Sequence, residues 1–209
     1  PPHPPPPGIN PALGVRGTAV YGYNPSLFEG ELLALQQLQA EYGNLRLILP
    51  FVRSVAEWQA ARDRVAAVGL LTNGDFQLWL MAEVPSVLFQ LPDYAAAGVQ
   101  GVAIGPRDLA QLLLGVEPGS GVLAAADLDD HPALWAALES LIDNANDLNL
   151  PTSLCSSTLH LSPANLERLI TAGIMAISVE RDTVLEIRQQ ILAVEQKLLR
   201  ASLPRRDVG

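Results

Sequence analysis

A chain of 209 residues, 49% of them hydrophobic, is long enough for one domain of ordinary size with a sizeable core. Its net charge of −9, with no cluster of Lys and Arg, argues against nucleic acid and anionic membranes as partners. No apolar run approaches the roughly 18 residues of a membrane span, and the single cysteine, Cys155, excludes an intrachain disulfide.

The chain opens on Pro1-Pro2-His3-Pro4-Pro5-Pro6-Pro7, which reads as an extended polyproline linker over residues 1–9. With no initiating Met and no signal-peptide pattern, the chain is read as a fragment, a processed chain or a piece of a longer polypeptide, with the cytoplasm as default compartment. Residues 10–200 read as one domain and 201–209 as a tail. Within the domain, helix-like and strand-like segments alternate. The composition of 29–41 predicts a helix, and the apolar run Arg46 to Val52 a strand. A helix follows over 55–68, then a strand over 77–83 and a turn and helix over 84–91. Gly101 to Gly105 is a strand and 106–114 a short helix. A helix is expected over 131–148, with Asp130 as its N-cap. Thr152 to Cys155 is a strand. Ser162-Pro163 starts a helix with Pro at its first position and Gly173 at its C-cap. Ala176 to Val179 is the last strand, and Asp182 opens a terminal helix. A sixth strand candidate lies around 18–21. This alternation predicts βαβ units and a parallel sheet. The fold class is α/β, a (β/α)8 TIM-type barrel short by two or three units on its amino-terminal side.

Several strands end in polar residues, and in a parallel barrel all such ends share one face. Glu83 closes one strand, Asp108 lies just past another, Cys155 ends a third, and Arg53 follows a fourth. Two carboxylates there can hold Mg²⁺, arginines can pair with a carboxylate or phosphate, and a cysteine can act as an acid. Each residue also has a plainer reading. Asp108 can be a helix cap, Arg53 a surface residue, and Cys155 a small buried hydrophobe. Glu83 is harder to dismiss, because a carboxylate ending so apolar a strand is costly to bury unpaired. His131 reads as solvated in a first helical turn and His160 as a loop residue.

Read together, these segments resemble the phosphoenolpyruvate-utilising family, which includes phosphoenolpyruvate synthase, pyruvate phosphate dikinase and enzyme I of the sugar phosphotransferase system. Asn10-Pro11-Ala12-Leu13-Gly14-Val15-Arg16-Gly17 matches the family's NP-x-LG-x-RG segment. Pro50-Phe51-Val52-Arg53-Ser54 matches PFVR followed by Thr or Ser, nearest to the synthases. Met81-Ala82-Glu83-Val84-Pro85-Ser86 matches M-x-E-x-PS, and Ile104-Gly105-Pro106-Arg107-Asp108-Leu109-Ala110-Gln111 matches IG-x-NDL-x-Q. Leu114-Gly115-Val116 and Ser120-Gly121 match LG-x-DRDSG in part. Cys155 falls at the CGQ cysteine, and Ala176-Ile177-Ser178-Val179 at the closing SIS-x segment.

The resemblance implies a domain that binds phosphoenolpyruvate, pyruvate or a related 2-oxo acid with Mg²⁺. By position, Arg16 would contact the phosphate, Glu83 and Asp108 would hold the metal, and Cys155 would move a proton at the methylene carbon. Arg53 matches a family arginine near the site. It also implies a homodimer or contact with another chain. The departures are equally specific. The family's Asn is Arg107 here, a cation that would weaken Mg²⁺ binding and offer its own donors to substrate. The family's DRD is Glu117-Pro118-Gly119, and its Gly-Gln after the cysteine is Ser156-Ser157. The expectation is therefore a barrel domain that is catalytically degenerate or incomplete as an isolated chain, with a non-enzymatic scaffold or assembly protein that retains the barrel fold as the alternative.

Overall fold

The computed structural model describes residues 13–72, 74–116, 128–156 and 161–202. Its helices and strands run, in chain order, α1 Thr18–Tyr23, α2 Pro25–Gln39, β1 Arg46–Leu49, α3 Val55–Ala67, β2 Gln77–Ala82, α4 Val87–Ala96, β3 Val102–Ile104, α5 Pro106–Leu114, α6 Pro132–Asp147, β4 Thr152–Cys155, α7 Pro163–Ala172, β5 Ala176–Ser178 and α8 Val184–Ser202. The five strands form one parallel sheet in the order β1-β2-β3-β4-β5. Every neighbouring pair is sequential and parallel, so each connection is a β-helix-β crossover. Right-handed crossovers of this kind place all helices on one face. That is the winding of a (β/α) barrel, and five strands make five of its eight.

Side-chain alternation follows the same plan. Leu49, Leu78, Leu80, Ala82, Val102, Ile104 and Leu154 point to the helix layer and belong to the main apolar cluster. Trp58, Leu91, Tyr94, Trp135 and Leu141 meet them from the helices and are fully buried. The other face carries Ile48 in register with Trp79 and, two residues further along β2, Met81, Ala103, Ser153 and Ala176 in register from strand to strand. Its centre is buried, with Ala103 at 1% exposure, but Ile48 at one edge is 37% exposed. A flat sheet with helices on one side leaves this face wet at its margins, and a barrel encloses it. No described helix is long and apolar enough to cross a membrane.

Three local expectations are corrected. The stretch read as a sixth strand is the helix α1. Its β-branched and aromatic residues gave a strand pattern, but Tyr21 stacks on Phe28 at 3.8 Å and Arg64 Nη1 holds the Tyr21 carbonyl at 2.9 Å. Tertiary contacts decide so short a segment. The N-cap of α6 is His131, whose Nδ1 accepts from Ala133 N at 3.1 Å, while Asp130 accepts from Asn165 Nδ2. Helix α4 continues through Pro92 to Ala96, because burial of Tyr94 offsets the lost backbone donor. The proline-rich start, Glu117-Pro118-Gly119, Ser120-Gly121, Ser157 and His160 lie outside the described residues.

Candidate functional site

The carboxyl end of the sheet is built by register. Ala82, Ile104, Leu154 and Ile177 form one row facing the helices. The next residue on each strand turns to the opposite face. That row is Glu83, Gly105 and Cys155, with Ser178 paired to Cys155. Strand spacing puts the backbones of Glu83 and Cys155 about 10 Å apart, with Gly105 between them. Gly105 leaves this gap open. A Cβ there would lie 3.0 Å from both Cβ and Oε2 of Glu83.

Glu83 is 5% exposed, so its charge needs compensation. Part of it comes from the corner after β1. Phe51 adopts φ +50, a left-handed conformation rare for an aromatic residue. In this conformation its N–H donates to Glu83 Oε1 at 2.6 Å. Strained backbone of this kind costs about 1–3 kcal/mol and persists where its surroundings over-determine it. The surroundings here are specific. The Phe51 carbonyl accepts from Thr18 Oγ1 at 3.4 Å and from Arg53 Nη1 at 3.2 Å. Gly17, at φ +58, packs directly on the corner, where a Cβ would collide with Phe51 Cβ and the Pro50 carbonyl oxygen.

Arg53 faces back along the same corner. Its Nη2 donates to the carbonyls of Gly14 and Arg16, each at 3.2 Å, and its Nη1 also reaches Glu57 Oε1 at 3.3 Å. Its own carbonyl accepts from Ser86 Oγ at 2.9 Å. The guanidiniums of Arg53 and Arg16 both pack on the Phe51 ring, 4.7 and 4.2 Å from its centroid. Arg53 thus fastens the Gly14–Arg16 segment to the β1 corner, and its terminal nitrogens are engaged by protein carbonyls and by Glu57.

Arg16 then reaches across the sheet end to Asp108 in the first turn of α5. The pair is bidentate, with Nη1 to Oδ1 at 2.7 Å and Nη2 to Oδ2 at 2.9 Å. Asp108 makes no capping bond, since the N-cap position of α5 is Gly105 and no side chain caps there. Asp108 is also within proton-sharing reach of Glu83. Burial first, and the Asp108 charge second, push the Glu83 carboxyl up to about 7, against the Phe51 N–H and Arg16, which favour its ionised form. The hydrogen bond to Asp108 raises the Arg16 guanidinium above its ordinary value. Burial, reinforced by the Glu83 charge, raises the Cys155 thiol, so it is a proton-carrying group near neutral pH.

The structure therefore brings Arg16, Glu83, Asp108 and Cys155 to one end of the sheet, with Arg53 beneath Arg16. Arg107 is set apart. Among the described residues it is exposed and pairs with neither acid; the guanidinium on Asp108 belongs to Arg16. Sequence reasoning also missed Phe51 and Gly17 as parts of the site, although the glycine after Arg16 and the run from Pro50 to Arg53 were in the motifs. Among the described residues no group of three metal-binding side chains occurs. The donor chemistry of Glu83 and Asp108 still suits Mg²⁺, which takes one or two carboxylates and completes its shell with water and substrate oxygens.

Known proteins are similar to this chain in sequence and in fold. Residues 5–196 match the family model described as PEP-utilising enzyme, PEP-binding domain. A phosphoenolpyruvate synthase of Aeropyrum pernix is 36% identical over 91% of this chain, and a probable phosphoenolpyruvate synthase of Staphylothermus marinus is 35% identical over 91%. The alignments take in 24% and 23% of those proteins, so the chain spans about a quarter of their length. Among solved structures, a citrate lyase from Burkholderia xenovorans superposes with a TM-score of 0.53 at 19% identity, over 70% of this chain and 47% of that one. That likeness concerns the fold.

Proposed function

The chain belongs to the PEP-utilising enzymes, in their PEP-binding domain, and on that premise we propose that it binds phosphoenolpyruvate or pyruvate at the carboxyl end of its sheet without running phosphoryl transfer by itself. The observation that carries the reading is the convergence of Arg16, Glu83, Asp108 and Cys155 on that end. Arg16 offers a planar pair of donors that fits a phosphate or carboxylate edge. Cys155 sits across the Gly105 gap, where a small ligand held by Arg16 would present its third carbon. Its raised pKa keeps the proton on sulfur, as a donor to an enolate carbon requires. Donation turns the enolate into pyruvate and leaves a thiolate, which regains its proton from water. Removal of a methyl proton from pyruvate is the reverse.

Glu83 and Asp108 would hold Mg²⁺. When bound, the ion supplies positive charge to the enolate and phosphate oxygens together. Phosphoryl transfer relies on positioning and on neutralising spread charge. Three departures from the family pattern weaken that function: Arg107 in place of Asn, Pro118 in place of the arginine of DRD, and Ser156 after the cysteine. The intact set of Glu83, Asp108 and Cys155 supports retained ligand binding and proton transfer, whereas the departures favour lost chemistry and leave a purely scaffolding role as the second reading.

The experiment is exchange of the pyruvate methyl protons in D₂O with Mg²⁺, followed by proton NMR. The wild-type chain is expected to catalyse exchange, faster as pH rises toward the thiol pKa, and Cys155→Ala to bind pyruvate without exchanging it. Exchange at the buffer rate with the wild-type chain would remove the proton-transfer role and favour the scaffold.

A further inference from the structure

Arg16 stands between two kinds of ligand. Both terminal nitrogens of its guanidinium lie on Asp108, so each Asp108 oxygen already accepts a charge-assisted hydrogen bond. On Glu83, Oε1 accepts from Phe51 N–H. Of the four carboxylate oxygens at this end of the sheet, three accept from N–H donors and two of those are covered by a cation. A divalent ion approaching the pair meets a fixed positive charge where it needs donor oxygens. Yet the same guanidinium is the cation that an anionic ligand would use, and the end-on fork of Nη1 and Nη2, which takes two of its five N–H donors, cannot serve Asp108 and that anion at once.

The backbone around Arg16 is in no position to yield. Arg53 holds the carbonyls of Gly14 and Arg16, and Gly17 is packed on the Phe51 corner. The side chain can move alone. Its guanidinium lies on the Phe51 ring, 4.2 Å from the centroid, a surface over which a planar cation can slide without losing its stacking partner. The side chain is 34% exposed, so an anion has access to it.

We propose that Arg16 is a latch on Asp108: it keeps a divalent cation off the Glu83–Asp108 pair until an anion draws the guanidinium away. Anion and cation then bind cooperatively. Each raises the affinity of the other by the same factor, because both favour the unlatched arrangement. This rests on the reading of the site given above, and it moves the cation that opposes metal binding from Arg107 to Arg16.

The test is Mn²⁺ binding to the full chain by electron paramagnetic resonance, with inorganic sulfate as the anion and chloride balancing ionic strength. Wild type is expected to bind Mn²⁺ weakly alone and about tenfold or more tightly with saturating sulfate, which is about 1.4 kcal/mol of coupling. Sulfate affinity should rise by the same factor with Mn²⁺ present. Arg16→Gln should bind Mn²⁺ tightly without sulfate and ignore its addition. Arg16→Lys keeps the charge without the fork and should fall between. Asp108→Asn should lose Mn²⁺ binding under every condition. Wild type and Arg16→Gln binding Mn²⁺ equally, with Asp108→Asn still losing it, would overturn the latch and leave the metal site standing. No Mn²⁺ binding by any form, or binding that survives Asp108→Asn, would overturn both.

Discussion

Glu83→Gln should make the chain more stable at neutral and alkaline pH. Glu83 is buried at the end of β2, and its carboxyl is held near 7 against an ordinary value of 4.5. Between those values the folded chain holds a proton that the unfolded chain has lost. Stability must then fall as pH rises through this window. The contribution is fully present below about 4.5 and lost above about 7. At about 1.4 kcal/mol per pKa unit the loss is on the order of 3 kcal/mol. Gln carries no charge, keeps an oxygen for Phe51 N–H and offers an N–H toward Asp108, where the protonated acid would donate. Urea unfolding in EDTA from about pH 5 to pH 8 measures the difference between the two proteins. They should nearly coincide at the acid end, with the variant more stable by roughly 2–3 kcal/mol at the alkaline end. A wild-type stability that rises over this range, or a constant difference, would refute the burial argument for Glu83.

Three further outcomes follow from the same geometry. Gly105→Ala should cost about 1–3 kcal/mol in urea unfolding, because its Cβ would lie 3.0 Å from the Glu83 side chain; an unchanged midpoint would mean that the gap between Glu83 and Cys155 is not tightly packed. Arg53→Lys keeps the charge but loses the fork on the Gly14 and Arg16 carbonyls, so it should cost about 2 kcal/mol of stability and weaken phosphoenolpyruvate binding about tenfold through Arg16; unaltered ligand affinity would separate Arg53 from the site. Sedimentation should show self-association or contact with another chain, since among the described residues β1 and β5 each leave one strand edge unpaired and the face between them is exposed at Ile48, Ala176 and Ser178; a monomer at high concentration would contradict this.

Much of the fold was legible because its signals are local. The strands are short apolar runs, and α7 is bounded by Ser162-Pro163 and Gly173 as the capping rules require. The alternation of strand and helix predicted a parallel sheet, and the sheet is parallel throughout. What sequence could not supply was the partner of each charged group. Arg107 is adjacent to Asp108 in the chain, yet helical geometry turns neighbouring side chains to different faces. Arg16, distant in sequence, is delivered to Asp108 by the segment that Arg53 fastens to β1. Arg53 itself was legible as a residue of the site's corner but not as a clamp on backbone carbonyls. The left-handed Phe51 carries no sequence signal, because that conformation is held by tertiary partners: Gly17, the acceptor on Glu83, and the donors Thr18 and Arg53 on its carbonyl. The strand pattern in α1 misled for a related reason: six residues are too few for periodicity to outweigh the contacts of Tyr21.

Calorimetric titration of phosphoenolpyruvate with Mg²⁺ into the wild-type chain and into Arg16→Gln tests the central claim most directly. Saturable binding to the wild type, weakened about tenfold or more in Arg16→Gln, is the result this account predicts. Binding of equal strength to both proteins would place the ligand elsewhere, and no binding to the wild type would contradict the function proposed for the carboxyl end of the sheet.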